Sequence, residues 1–141
     1  MPAFPDTAFD AHVHLQAFPS ALRPVVLARA RQAGVTRFGC CGTHPGDWMA
    51  VTAIAADENS VESACGLHPW HAEDAGLPPD WPDRLDALLH EHPGLGIGEI
   101  GLDALRPAPG TQVRMLDIQL DLAVRHGRGV ALHCVRAHNE L

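Results

Sequence analysis

Five short apolar runs alternate with four segments of helical periodicity, and this alternation constrains the fold more than any other feature. Residues 8–15, 35–41, 62–67, 95–102 and 130–135 read as strands. Residues 20–33, 45–59, 82–92 and 112–126 carry the apolar spacing of helices. In the first helix Leu22, Val26, Leu27 and Ala30 share a face, and Gly34 closes it. Pro45 stands near the start of the second, while Pro93 and Gly94 close the third. In the fourth, Val113, Leu116, Leu120 and Val124 recur at helical steps before Gly127. Segments 75–82 and 106–110 read as loops. A helix between two strands returns the chain to the same sheet end, so the strands must run parallel.

A doubly wound sheet and a barrel both satisfy that alternation. The polar residues favour the barrel: His14, His68, Glu99 with Asp103, and His133 fall at or near the C-terminal ends of strands. Chemistry gathered at that end of several strands is how a β/α barrel builds its site. The expected fold is α/β: an incomplete TIM-type (β/α) barrel of about five parallel strands and four helices, one unit over residues 1–141. A complete barrel takes eight strands and roughly 250 residues. Later strands are therefore expected to be missing, with open edges that self-association or a complementing chain would cover.

Composition narrows the chemistry. All ten basic residues are arginines, which excludes a Schiff-base lysine, a phosphate-loop lysine and a carboxylated-lysine metal bridge. A net charge of −7 argues against broad electrostatic attraction to nucleic acid, although bound cations can still supply charge to a phosphodiester locally. Cys40, Cys41, Cys65 and Cys134 show no CxxC spacing and read as free thiols of a reducing cytoplasm. The N-terminus has neither a basic stretch nor an apolar core of a secretory signal. The longest apolar run, 49–56, is far short of the ~20 residues that span a bilayer, so no membrane partner is expected.

Three motifs carry donor atoms. In Asp10-Ala11-His12-Val13-His14 the alternation of a strand puts both imidazoles, and Asp10 below them, on one face, a pincer for one cation. In the glycine-rich run 94–103, Glu99 follows Ile97 on one strand face and points inward, with Asp103 nearer the mouth. An inward carboxylate is costly unless paired or metal-bound. In Gly129–Cys134, His133 leaves an apolar run. Nitrogen and oxygen donors of this kind suit a divalent ion, with Zn, Mn and Mg all open. Gly66-Leu67-His68-Pro69-Trp70 adds a histidine able to touch substrate and a tryptophan able to wall a pocket. His90, His92 and His126 lie near helix C-termini and read as structural. Arg23, Arg29, Arg31 and Arg37 read as a solvated face, and His44 has no assignment.

Taken in order, FDAHVHL, GLHPW, GIGEIGLD and a QLDLA helix leading to VALHCVRAH resemble the TatD family of metal-dependent hydrolases, from Phe9 onward. The resemblance implies a TIM-type barrel and a two-metal deoxyribonuclease or phosphodiesterase acting through activated water on DNA or another phosphodiester. It implies that His12 and His14 hold the first metal, that Glu99 bridges both, and that His133 holds the second. His68 and Asp103 would touch substrate or support the ligands. The arginine that the family places two residues after the fifth-strand histidine is Val135 here; Arg136 follows and is the candidate phosphate contact. The family's later HCF-like histidine and TDSP-like aspartate, the latter its expected general base, fall beyond residue 141. The isolated chain is thus expected to bind metal weakly and to hydrolyse poorly. Two alternatives stay open: an amidohydrolase-type enzyme of C–N or lactone bonds, and a non-catalytic fragment.

Overall fold

Strands β1 (Ala8–Val13), β2 (Val35–Cys41), β3 (Val61–Cys65), β4 (Gly96–Asp103) and β5 (Val130–Val135) form one sheet in a computed structural model that describes residues 7–141. Residues 1–6, part of the segment read above for a secretory signal, lie outside the described residues. Helices α1 (Arg23–Gln32), α2 (Trp48–Asp57), α3 (Trp81–Glu91) and α4 (Pro109–His126) connect the strands. All four strand pairs are parallel, and the spatial order is β1-β2-β3-β4-β5. A doubly wound sheet reverses its order at a switch point. This sheet does not, so right-handed crossovers place every helix on the same face. The result is the winding of a β/α barrel, with the expected five strands and four helices. Among the described residues β1 and β5 each pair on one side only.

The core lies between the sheet and the helices. Phe38 and Cys40 from β2, Val61 and Cys65 from β3, and Ile97, Ile100 and Leu102 from β4 meet Leu27, Val51, Ile54, Leu85, Leu89, Leu116 and Leu122. Each such aliphatic side chain contributes roughly 1.5–3 kcal/mol when fully buried. The opposite face carries a shallow depression toward the strand starts, lined by small residues including Ala11, Gly39, Gly96 and Ala131.

Two register shifts set the direction of the polar side chains. On β4, Ile97 pairs with Val130 and Ile100 with Leu132, so three steps on β4 match two on β5. This bulge lets both Ile97 and Ile100 enter the core. Glu99 consequently shares its face with Gly101 and Asp103 rather than with Ile97, which corrects the simple alternation read from sequence. A similar shift lies on β1 between Asp10 and Val13. Gly101 has φ 144°, and a Cβ there would overlap the His133 carbonyl oxygen. Only glycine lets β4 lie this close to β5.

The helices depart from simple periodicity in two places. Leu22 precedes α1 and is exposed; Leu27 is the residue α1 buries. On α4 the buried face is Gln112, Met115, Leu116, Gln119, Leu122 and Ala123, while Val113 and Val124 face outward. Two glutamines occupy buried positions because they answer the backbone of strand-end loops. The Gln112 amide accepts from Asp103 N at 2.8 Å and donates to the carbonyls of Asp103 and Pro107. The Gln119 amide accepts from Leu67 N at 2.6 Å and donates to Leu67 O at 3.1 Å. Helix α4 also begins earlier than the loop reading of 106–110 allowed. Pro109 fits its first turn, where a missing N–H costs nothing. Gly127, left-handed at φ 63°, closes it as expected.

Candidate metal centre

His12 lies near the end of β1 and His14 follows it; His68 follows β3; Glu99 and Asp103 lie on β4; His133 lies on β5. Except for Asp103, all of them line one cavity of about 610 Å³, together with Gln16, Asp47, Trp70 and His71. Their convergence requires a curled sheet. In a flat sheet β1 and β4 are three strand spacings apart, about 14 Å. Here His12 Nε2 is 2.9 Å from Glu99 Oε2.

Glu99 is the hub. Its Oε2 faces His12 Nε2 at 2.9 Å and His14 Nε2 at 3.5 Å. Its Oε1 faces His133 Nδ1 at 2.9 Å and His68 Nε2 at 3.5 Å. The four imidazoles thus form two pairs, one on each carboxylate oxygen. The groups His12, His14, Glu99 and His68, Glu99, His133 each bring their donor atoms within 4.8 Å of one another and could hold a metal ion. The first pair is the wetter: the His12 side chain is 46 % exposed, that of His68 6 %. Burial alone would push the Glu99 carboxyl up, but hydrogen bonds from His14, His68 and His133 outweigh it and hold it well below the usual carboxylate range. The same pairing with Glu99 raises His14 against the opposing effect of its own burial.

The far nitrogen of each ring tells which histidines are free to coordinate. His14 Nδ1 lies 2.7 Å from the Cys41 carbonyl, an acceptor, so Nδ1 carries a proton, and Nε2, which faces Glu99, is the nitrogen a metal ion would take in place of its proton. His133 Nε2 lies 3.3 Å from Asp103 Oδ2, so a proton sits there, and Nδ1 is the nitrogen turned to Glu99. His68 is the reverse case. Its Nδ1 accepts the Trp70 backbone N–H at 3.2 Å, which places the proton on Nε2. His68 therefore points a donor, not a lone pair, at Glu99 and His133. Asp103 is the brace of this half: Oδ2 also accepts the Trp70 indole N–H at 2.8 Å, and Oδ1 accepts the Leu105 N–H at 2.9 Å.

The structure brings together His12, His14, His68, Glu99, Asp103 and His133. Two expected residues do not join them. Asp10 turns its carboxylate onto the His12 backbone N–H at 3.2 Å, because the β1 shift breaks the shared face. Arg136 follows β5 at φ 51°, is exposed and does not line the cavity. Three features escaped the sequence reading. Gln112 and Gln119 look like ordinary surface helix residues until the loops they hold are known. Arg106 stacks over the Trp70 ring at 4.3 Å, a long-range contact with no local signal. His44, His71 and Asp74 form a further donor group. In it His44 Nδ1 accepts the Gly46 N–H, while the buried Nε2 lies 3.4 Å from Asp74 Oδ2 and makes no hydrogen bond. Among the described residues no helix is long and apolar enough to cross a membrane.

The sequence profile of the family described as TatD related DNase matches residues 9–141. The chain is 34 % identical over 140 residues to YjjV of Escherichia coli K12, described as a metal-dependent hydrolase. That match covers 94 % of this chain and 52 % of the relative. It is 35 % identical over 134 residues to the 3′-5′ ssDNA/RNA exonuclease TatD of Pantoea ananatis, covering 92 % and 51 %. The crystal structure of the YjjV TatD homologue superposes with a TM-score of 0.85, over 94 % of this chain and 52 % of that one. A TatD family hydrolase from Entamoeba histolytica, at 20 % identity, shares the fold with a TM-score of 0.79. The chain spans about half the length of the curated relatives it matches.

Proposed function

The chain belongs to the TatD-related DNase family, and from that premise we propose that it is a divalent-metal-dependent hydrolase of phosphodiester bonds in a nucleic-acid strand. The observation that carries this reading is the placing of one ionised carboxylate between two imidazole pairs. His12 and His14 with Glu99 Oε2 would hold one ion; His133 Nδ1 with Glu99 Oε1 would hold the other. The donor set fits a metal ion that displaces the protons His14 and His133 share with Glu99: His14 Nε2 and His133 Nδ1 face the centre, and Glu99 stays ionised. Two ions there, whether Mg, Mn or Zn, would activate water and take up the negative charge of the phosphoryl oxygens. His68, with its Nε2 proton aimed into the centre, donates to an oxygen of the substrate. Asp103 holds the His133 ring in its working tautomer. The ionised Glu99 carboxylate repels a phosphodiester unless cations neutralise it, which makes catalysis dependent on metal. The free thiols agree with a reducing cytoplasmic setting. The single-sided edges of β1 and β5 support association with further strands, from a second copy or a complementing chain.

Metal titration by calorimetry, with elemental analysis, tests the reading. Two ions per chain are expected, weakly bound and with both affinities reduced by Glu99→Gln, together with slow release of nucleotides from single-stranded DNA that needs the metal. Absence of stoichiometric binding, or turnover of amides or lactones but not of DNA, would overturn it.

A further inference from the structure

We propose that Trp70 and Arg106 form a nucleotide-holding subsite at the rim of this centre, the indole stacking a base and the guanidinium taking the adjoining phosphate; this rests on the nucleic-acid reading above. The three tryptophans divide sharply. Trp48 and Trp81 are core residues, 4 % and 6 % exposed, while Trp70 is 57 % exposed and lines the cavity. More than half of the Trp70 surface stays in water at the mouth of a polar site, although the ring meets His68 edge to face with centroids 4.9 Å apart.

Its orientation is nevertheless fixed. The indole N–H donates to Asp103 Oδ2, and the backbone N–H of the same residue donates to His68 Nδ1. A ring anchored at one polar end and wet elsewhere can take a base with little loss of side-chain freedom. The Arg106 guanidinium carbon lies 4.3 Å from the ring centroid. Among the described residues Arg31, Arg37, Arg84 and Arg125 each face a carboxylate, and of the arginines that form no ion pair Arg106 is the one set over an aromatic ring. In a chain of net charge −7, an arginine without an ion pair, set over the ring at the cavity rim, is available to an anion. Its edge donors match a phosphate, and every base offers a π-face to the indole. Arg106 does not itself line the cavity but reaches its rim through Trp70, and it stands in for the contact expected of Arg136, which does not line the cavity. Because Trp70 and His133 share one Asp103 oxygen, a base on the indole sits two hydrogen bonds from the ring proposed to hold metal.

A phosphorothioate oligodeoxyadenylate, which resists cleavage, provides the test with the full chain in Mg²⁺. The buried tryptophans give a constant background, so the oligonucleotide is expected to quench Trp70 emission saturably. By fluorescence anisotropy Trp70→Leu is expected to weaken binding on the order of ten-fold, in line with the stacking of one base. Trp70→Phe, which keeps a ring and loses the N–H, is expected to stay within about three-fold of the parent, since stacking needs only the π-face. Arg106→Gln is expected to lower the slope of log Kd against log salt by about 0.7, the loss of one phosphate contact on a single strand. Circular dichroism checks each variant's fold, and the parent's quenching and the Arg106 arm stand without Trp70→Leu. Tight binding without quenching, with Trp70→Leu and Arg106→Gln at parental affinity, would overturn the subsite and leave the proposed hydrolase intact. Failure of the parent chain to bind the oligonucleotide at all would overturn both.

Discussion

Replacing Gln119 by leucine removes an amide that is 1 % exposed and leaves Leu67 N–H and C=O, in a residue also 1 % exposed, without partners. The third bond of the amide, to the Met115 carbonyl, goes to a group that the helix ladder already occupies, so its loss matters less. Two orphaned buried backbone groups cost about 1–3 kcal/mol each, and leucine regains part of this through apolar burial. The net loss is about 1–4 kcal/mol. With an m-value of about 2 kcal/mol/M in urea, the unfolding midpoint falls by about 0.5–2 M at unchanged slope. Urea titration followed by far-UV circular dichroism measures it on the metal-free chain. Val124→Ala on the same helix, at a position 84 % exposed, serves as the control and stays within about 0.5 kcal/mol. A midpoint shift for Gln119→Leu no larger than that of the control would refute the claim that this amide holds the loop carrying His68.

Gly101→Ala is expected to destabilise by about 2–5 kcal/mol, because the new Cβ meets the His133 backbone while φ stays positive; thermal unfolding checks it, and a Tm within a degree of the parent contradicts it. Iodoacetamide at pH 8 should label Cys134, the one partly exposed thiol, well before Cys41, whose thiol burial pushes up to about 12; peptide mapping over time reads the order. In the metal-free chain the Glu99 carboxyl is depressed, so its contribution is present above roughly pH 4.3 and fades as pH falls toward the folded value. His14 is raised, so its contribution is complete below roughly pH 6.5 and is lost as pH rises through the folded value. Metal-free stability should therefore be greatest between those limits, and a midpoint still rising above pH 8 would contradict the assignment.

Strand positions were the most legible part of the fold. The fifth run was read as 130–135 and is β5 to the residue, because a short apolar segment between Gly129 and the polar tail has little freedom to slip. Helix positions were legible to within a few residues, but the buried face of α4 was not. Periodicity counts apolar residues, and this helix buries two amides that only the distant loops explain. Within the site, His12, His14, Glu99 and His133 were readable from strand-end position. The meeting of Oε2 with one imidazole pair and Oε1 with the other was not, since it depends on the β4 bulge and the curl of the sheet. Asp10 and Arg136 were misplaced for one reason: alternation fails where a strand slips register or ends. Arg106 gave no sign, because its partner lies far away in sequence.

Three of the four imidazoles come from opposite margins of the sheet. His12 lies on β1 with His14 just after it, His133 lies on β5, and each of these strands is laced to a single neighbour among the described residues. Glu99 reaches both margins from within. Peeling of either outer strand, which should open at lower free energy than the interior, would dismantle one half of the constellation while the interior stays folded. An ion clasped by both a marginal imidazole and the central carboxylate works against that peeling, so amide protons of the outer strands should slow their exchange with deuterium before those of β3 respond.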